Sequence, residues 1–306
     1  MIYYNSLNDH YRKQYGDKVY KLALDAHFTC PNRDGTKDTR GCLFCSAKGS
    51  GDFTYSEYTS ISRQIEAAKE LVAKKCSSGK YIAYFQAFTN TYAPVEMLRR
   101  VYMEAVNHPD IVSLSIATRP DCLDADILAL LAEIHAKKPV TIELGLQTIH
   151  KKTAELIRRH NTLQEFDTAV ANLHGLTIPV VAHLIIGLPD ETREMLLESI
   201  EHLNLVKIDG VKLQLLHVLK GTDLAAMYQN GDYMPLSMDE YVNLITDCIG
   251  HLSNNIVIHR LTGDAPRKLL LAPAWSMDKK RVLNAITGTL EKRGITQGCF
   301  HNKEEL

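Results

Sequence analysis

Leu24-Asp25-Ala26-His27-Phe28-Thr29-Cys30-Pro31-Asn32-Arg33-Asp34-Gly35 carries the chain out of an apolar run, Val19 to His27, into a polar stretch that leads to Cys42-Leu43-Phe44-Cys45. A β-rich run followed by Gly35, Gly41, Gly49 and Gly51 reads as a strand feeding a loop that folds back on itself. Eleven residues separate Cys30 from Cys42, and two separate Cys42 from Cys45. Thiolates are the usual protein ligands of iron-sulfur clusters, and Cys-x-x-Cys lets two of them reach adjacent metal positions from one turn. Three cysteines with no fourth nearby leave one iron without a protein ligand. On spacing alone zinc stays open, because a structural zinc takes four ligands and His27 is near enough to complete a Cys3His set. Ordinary core cysteines fit poorly, since a polar, glycine-rich loop is a poor place to bury them.

Outward from this loop, short β-rich runs alternate with longer amphipathic stretches from about residue 19 to 255, the pattern of parallel βα units. The expected strands are Val19 to His27, Tyr81 to Phe88, Val112 to Thr118, Val140 to Leu146, Val180 to Ile186 and Val211 to Val218. Helical faces recur at Ile65/Ala68/Val72, Ile127/Leu130/Leu131/Ile134 and Leu196/Ile200/Leu203. Capping boxes are expected at Thr162 with Glu165 and at Ser237 with Glu240. Six such units are too few for a closed eight-stranded barrel, and right-handed crossovers would curl them into a partial (β/α)6 TIM-like barrel. An open α/β sheet is the alternative. Either way, reactive groups belong at the carboxyl ends of the strands. The barrel is expected over residues 1–255. Residues 256–306, with a strand-like Ile256-Val257-Ile258-His259 and a helix near Lys279 to Lys292, are expected as a C-terminal extension packed on it.

With 306 residues and 45% hydrophobic side chains, the chain can bury a full-sized core, which excludes disorder as the default. A formal net charge of -1 excludes a uniformly basic protein, so a nucleic acid would have to be held by a local patch. No apolar stretch is long enough for a signal segment or membrane span, and the seven cysteines are odd in number with four scattered singly. A soluble cytoplasmic protein with reduced thiols and no membrane partner is expected.

Several other motifs accompany the cysteines: Gly49-Ser50-Gly51-Asp52-Phe53, Tyr84-Phe85-Gln86-Ala87-Phe88-Thr89-Asn90-Thr91, Thr118-Arg119-Pro120-Asp121, Glu143-Leu144-Gly145-Leu146-Gln147-Thr148 and His183-Leu184-Ile185-Ile186-Gly187-Leu188-Pro189. With them, the Cys-x11-Cys-x2-Cys loop resembles the widened cluster motif of the Elp3-like branch of radical S-adenosylmethionine (SAM) enzymes. From about residue 3 to 299 the chain is similar to the bacterial YhcC/YtqA (MnmL-type) family within it. The resemblance implies a [4Fe-4S] cluster on Cys30, Cys42 and Cys45, with SAM chelating the open iron. Reduction of the cluster would split the sulfonium to give a 5'-deoxyadenosyl radical, so a reducing electron donor is implied as a partner.

At the end of the second strand, Gln86, Thr89 and Asn90 stand where many superfamily members have a Gly-Gly-Glu type segment that meets the SAM amino group. The chain departs from that pattern, and these three are expected to supply the acceptors, or simply to build a strand-end turn. Arg119 is expected to pair with a carboxylate of SAM or of the cluster loop, or structurally with Asp121. Alternation puts Glu143, Gly145 and Gln147 on one face toward the barrel interior, where a carboxylate needs a partner. Glu143 and Gln147, then His183 and Gly187 on the next strand, are expected at the cofactor. Gln147, His217 and Lys220 are the catalytic candidates. His217 and Lys220, with Gln214, are expected on the substrate side of the mouth.

Between Arg267 and Arg293 seven basic residues face only Asp278 and Glu291, and the single tryptophan, Trp275, lies among them. Such a patch suits RNA, while a solvated helix face with Trp275 as an anchor is the plainer reading. Tyr11-Arg12-Lys13 with Lys18 and Lys21 would extend it. Elp3-like enzymes act on the wobble uridine of tRNA. The YtqA-type resemblance implies conversion of 5-carboxymethylaminomethyl-uridine to 5-aminomethyl-uridine in the anticodon region, on the mnm5(s2)U pathway, with a methyltransferase downstream. Hydrogen abstraction from the glycine-like methylene, oxidation to an imine and release of glyoxylate by water is the hypothesis for the chemistry. A small metabolite, another RNA position, or a non-catalytic SAM and cluster-binding module are the alternatives.

Overall fold

The computed structural model describes residues 2–301 except 56, 75 and 77. In chain order the elements are α1 (Leu7–Tyr15), β1 (Tyr20–Leu24), α2 (Ile61–Val72), β2 (Tyr81–Phe85), α3 (Val95–Asn107), β3 (Ile111–Thr118) and α4 (Ala125–Lys137). Then come β4 (Val140–Gln147), α5 (Lys151–Leu156), α6 (Leu163–Gly175), β5 (Val180–Ile186), α7 (Arg193–Leu205), β6 (Gly210–Leu215), β7 (Val218–Leu219) and α8 (Asp223–Asn230). The chain closes with α9 (Met238–His251), β8 (Val257–Arg260), β9 (Leu270–Ala272), a 3-10 turn at Ala274–Met277 and α10 (Lys279–Arg293).

The helices begin where the sequence supplies a cap. Thr162 and Ser237 each accept from a backbone N–H three residues on, and Glu165 and Glu240 return the bond, so both expected capping boxes are present. The faces read from periodicity are inward: Ile65, Ala68, Ile127, Leu130, Leu131, Ile134, Leu196, Ile200 and Leu203 are buried, with Val72 packed against them.

Seven parallel strands lie in the order β1-β2-β3-β4-β5-β6-β8, a curled half-barrel with its helices outside. The six expected strands are all present. The seventh comes from the stretch assigned to the extension: Val257 and Ile258 are buried and pair with Gly210 and Val211, covering an edge of β6 that would otherwise be open. The sheet therefore crosses residue 255. Its last helix docks through Val282, Ile286 and Leu290, and Arg293 binds Asp247 at 2.6 Å.

The sixth strand is also shorter than expected. It stops at Leu215, and Val218–Leu219 instead forms a two-residue antiparallel ribbon with Leu270–Ala272. This break separates Gln214, on the sheet, from His217 and Lys220. The open side between β1 and β8 is crossed by the N-terminal segment, where Ser6 bridges Ile258 in parallel and Ile258 N–H donates to the Asn5 carbonyl at 2.8 Å.

Candidate cluster and cofactor site

No helix or strand forms between Leu24 and Ile61 among the described residues. A connection of that length without regular structure is a functional loop or none, and this one is held by its own backbone. Arg33 N–H donates to the Cys30 carbonyl at 2.8 Å, Gly41 N–H to Asn32 at 2.7 Å and Cys45 N–H to Cys42 at 3.0 Å. The Arg33 guanidinium donates to the carbonyls of Cys45 and Ser46 at 3.0 and 2.7 Å. Asn32 ties the loop to the barrel through the Arg158 carbonyl at 2.8 Å and reaches Cys42 Sγ at 3.4 Å. Gly49 sits at φ +55°, and a Cβ there would lie 2.3 Å from the Phe88 ring. Only glycine allows that approach.

Cys30, Cys42 and Cys45 line an inner pocket of about 180 Å³ at the carboxyl ends of the strands. His27 is exposed and its Nε2 lies 3.0 Å from the Tyr58 carbonyl, so the Cys3His alternative is not assembled. Burial pushes the free Cys42 thiol up to about 12 and raises Cys45 as well, so a bound metal would be what keeps these sulfurs as thiolates. Cys299 lies on the C-terminal segment that packs on α9, and it lines neither cavity described here.

Beside the cysteines the pocket is lined by Gln86, Thr89, Arg119, Glu143, Gln147 and His183. Two further lining residues, Asn32 and Asn161, each hold a buried Oδ1 without a hydrogen-bond partner, acceptors suited to a polar ligand such as SAM. Gln86 donates to the Ser50 carbonyl at 2.7 Å, fixing the cluster loop to the end of β2. Gln147 ends β4 at φ +60°. With its amide set to satisfy both atoms, its nitrogen donates to the carbonyls of Leu146 and Gly145 at 3.1 and 3.2 Å.

Arg119 is a fork on Asp121, at 3.0 and 2.9 Å, and also donates to the Arg159 and His160 carbonyls at 2.9 and 3.2 Å. The structural pairing is thus the one formed. Lys37 of the cluster loop shares Asp121 at 2.6 Å, so this carboxylate links the loop to the barrel mouth.

Three expected residues sit elsewhere. Asn90 is buried in the turn after β2 and donates to the Phe85 and Ala117 carbonyls at 3.1 and 2.9 Å; its amide builds the turn. Gly187 faces Leu236, and its carbonyl accepts from Tyr233 at 2.7 Å, so its positive φ serves a tight turn. Lys220 is exposed beyond β7 and lines neither cavity, because the break after Leu215 turns the chain away. His217 does line the larger outer cavity, where burial pushes its imidazole down to about 4.

The centre of the barrel was only half visible in the sequence. Glu143, fully buried, receives Lys21 at 2.6 Å, His183 at 2.7 Å and Lys212 in a short contact. Lys212 also donates to Tyr84 at 3.0 Å, and Lys21 to Ser115 at 3.2 Å. Burial pushes Glu143 up, but Lys21, Lys212 and His183 overcome it and hold the carboxyl well below its usual range. Burial brings Lys212 down to about 7 and His183 to about 4, against the pull of Glu143 in both cases. Lys212 and Arg260 escaped the sequence reading, which places Lys21 only in a surface basic cluster and Tyr84 only at the start of a motif. Their signal was a lysine inside the apolar runs of two strands, a charge that must be paired if the strand is buried.

From this layer an outer cavity of about 1240 Å³ opens, sharing Cys45, Gln86, Gln147, His183, Lys212 and Arg260 with the inner pocket. Among the described residues its wall carries Lys18, Lys21, Lys212, Arg260, Arg267 and Lys279 against Asp52 and Asp264. Two basic stretches far apart in sequence thus meet on one wall. Trp275 takes no part: its Nε1 donates to the Leu236 carbonyl at 3.0 Å and its ring packs on Tyr241, anchoring the extension.

Residues 39–203 match the radical SAM superfamily and residues 208–292 the radical SAM C-terminal domain. The uncharacterized protein YtqA of Bacillus subtilis (strain 168) is 44% identical over 302 residues, 99% of this chain and 94% of that protein. A tRNA uridine(34) acetyltransferase of Methanocaldococcus jannaschii is 27% identical over 197 residues, 63% of this chain and 35% of that protein. The structure of the archaeal Methanocaldococcus infernus Elp3 with its N-terminus deleted superposes with a TM-score of 0.70 at 18% identity, covering 91% of this chain and 64% of that one. The chain accordingly belongs to the radical SAM superfamily, as an enzyme that uses a [4Fe-4S] cluster and SAM, and within it to the Elp3-like YhcC/YtqA family.

Proposed function

We propose that this enzyme modifies the wobble uridine of tRNA, converting 5-carboxymethylaminomethyl-uridine to 5-aminomethyl-uridine. The observation that carries the reading is the outer cavity, whose basic wall opens directly onto the pocket of the three cysteines. A cavity with six basic side chains against two carboxylates draws a polyanion even though the whole chain is near neutral. The relationship to a tRNA uridine(34) acetyltransferase supports the same object.

Cys30, Cys42 and Cys45 would hold the cluster, which with SAM bound would supply a 5'-deoxyadenosyl radical. The remaining work belongs to the chain. Gln86, Thr89, Asn161 and Gln147 offer the polar atoms that hold SAM at the strand ends. Glu143 keeps Lys21, Lys212 and His183 oriented at the floor, below the reacting centre. Lys212, brought down to about 7, can release a proton to or recover one from a developing amine near neutral pH. Transfer of a hydrogen atom from the carboxymethyl methylene to the adenosyl radical, loss of the amine N–H proton and passage of one electron to the oxidised cluster would leave a C=N bond, and addition of water would then release glyoxylate and the amine.

The test is anaerobic reconstitution followed by assay of 5'-deoxyadenosine with dithionite, for wild type and Cys45→Ala, and then nucleoside analysis of carboxymethylaminomethylated tRNA. Turnover lost in Cys45→Ala together with appearance of 5-aminomethyl-uridine is the expected result. Intact modified tRNA after incubation with the reduced, SAM-loaded wild type would sink the assignment.

A further inference from the structure

The charges at the junction of the two cavities do not balance. Lys21 and Lys212 share one carboxylate, Glu143, and each also has a hydroxyl partner. Arg260, at the end of β8 and in register with Lys212, lines both cavities. Its charge is felt by Tyr84, His183, Lys212 and His217 alike. Among the described residues its ion-pair partner is Asp264 at 3.5 Å, too long for a good charge-assisted bond. Asp264 is already held by Lys279, at 2.9 and 3.1 Å. Even with Lys212 neutral, Lys21, Arg260 and Lys279 face Glu143 and Asp264, so one positive charge is left over. The neighbouring His259 adds a buried Nδ1 with no partner.

We propose that Arg260 anchors the carboxylate of the substrate, so that this site selects a glycine-like carboxymethyl amine over the bare amine it becomes. The planar fork of arginine matches a carboxylate with two parallel bonds, and a half-buried position strengthens them. Once the carboxymethyl unit leaves as glyoxylate, the product has nothing for the fork to hold, which favours its release. The identity of the ligand rests on the wobble-uridine reading; the presence of an anion subsite does not.

The experiment measures binding of the nucleosides 5-carboxymethylaminomethyl-uridine and 5-aminomethyl-uridine to reconstituted, SAM-loaded, unreduced enzyme by equilibrium dialysis. Wild type is expected to prefer the carboxylate by at least about tenfold, the worth of one charge-assisted pair. Arg260→Met should abolish the preference, Arg260→Lys should keep a few-fold remnant, and SAM affinity should be unchanged in both. Equal binding of the two nucleosides by wild type, full preference in either variant, or a loss of SAM binding would overturn the subsite, the last by giving Arg260 to the cofactor's own carboxylate. Should Arg260→Met fail to fold in a thermal melt, Arg260→Lys carries the comparison. Wild type that prefers the carboxylate but converts no tRNA defeats the functional proposal alone; wild type that converts tRNA without the preference defeats the subsite alone.

Discussion

Glu143 concentrates the consequences of burying charge. Its carboxylate is the shared partner of two lysines and a histidine, and a neutral amide would offer them one acceptor oxygen and no charge. Glu143→Gln should destabilise the fold by about 3–5 kcal/mol, the usual result of stripping one partner from a buried ionic group; urea denaturation at pH 7 reads it directly, and an unchanged midpoint would contradict the pairing. Lys212→Met makes the complementary case: it removes one of two cations from one carboxylate, and should therefore cost less than Glu143→Gln in the same titration. Gly49 is a different sort of requirement. At φ +55° and against the Phe88 ring, an added methyl has nowhere to go, so Gly49→Ala should displace the cluster loop and lower bound iron after reconstitution, with far-UV circular dichroism preserved.

Among the secondary elements, β8 is the one whose importance the pattern understated. It pairs with β6, carries Arg260 into the cavity and leads to α10, whose Val282, Ile286 and Leu290 are buried. Ending the chain at residue 255 would bare the β6 edge and strip apolar cover from α9. Such a fragment is expected to aggregate, and a soluble, cooperatively melting 1–255 fragment would show that the extension is dispensable. The strands themselves were legible because buried parallel strands are long apolar runs. The interruption after Leu215 was not, because Leu216, Val218 and Leu219 continue the apolar run while the chain changes sheets. That one unseen break is why His217 reaches the cavity and Lys220 does not.

The molecule as a whole should answer to acid. His183 and His217 have imidazoles brought by burial to about 4 from an ordinary 6.5. Between those values the unfolded chain binds protons that the native protein refuses, so stability rises with pH across the window and is lost as pH falls from about 6.5 to 4. Urea midpoints at pH 7 and pH 5 should differ accordingly, and His183→Gln should narrow the difference. The basic wall predicts a second global property. Affinity for tRNA should fall steeply with salt, and neutralising Lys18, Arg267 and Lys279 together should make the log–log salt dependence shallower, by roughly 0.7–0.9 for each phosphate that the variant no longer neutralises. A salt slope identical to wild type would remove this wall from the RNA surface. Among the described residues no helix is long and apolar enough to cross a membrane.

Local chemistry was written in the order of residues: the three cysteines and their loop, the alternation of strands and helices, the capping boxes, and the inward faces all depend on neighbours within a few positions. Contacts between distant segments were not. Lys21, Glu143, His183, Lys212 and Arg260 lie on five different strands, and only the curl of the sheet brings them around one space, because no periodicity encodes which buried lysine will meet which buried carboxylate. The same curl turned Trp275 into an anchor and Arg119 into a brace for the cluster loop, while it left Arg260 facing the cavity with a charge still to be answered.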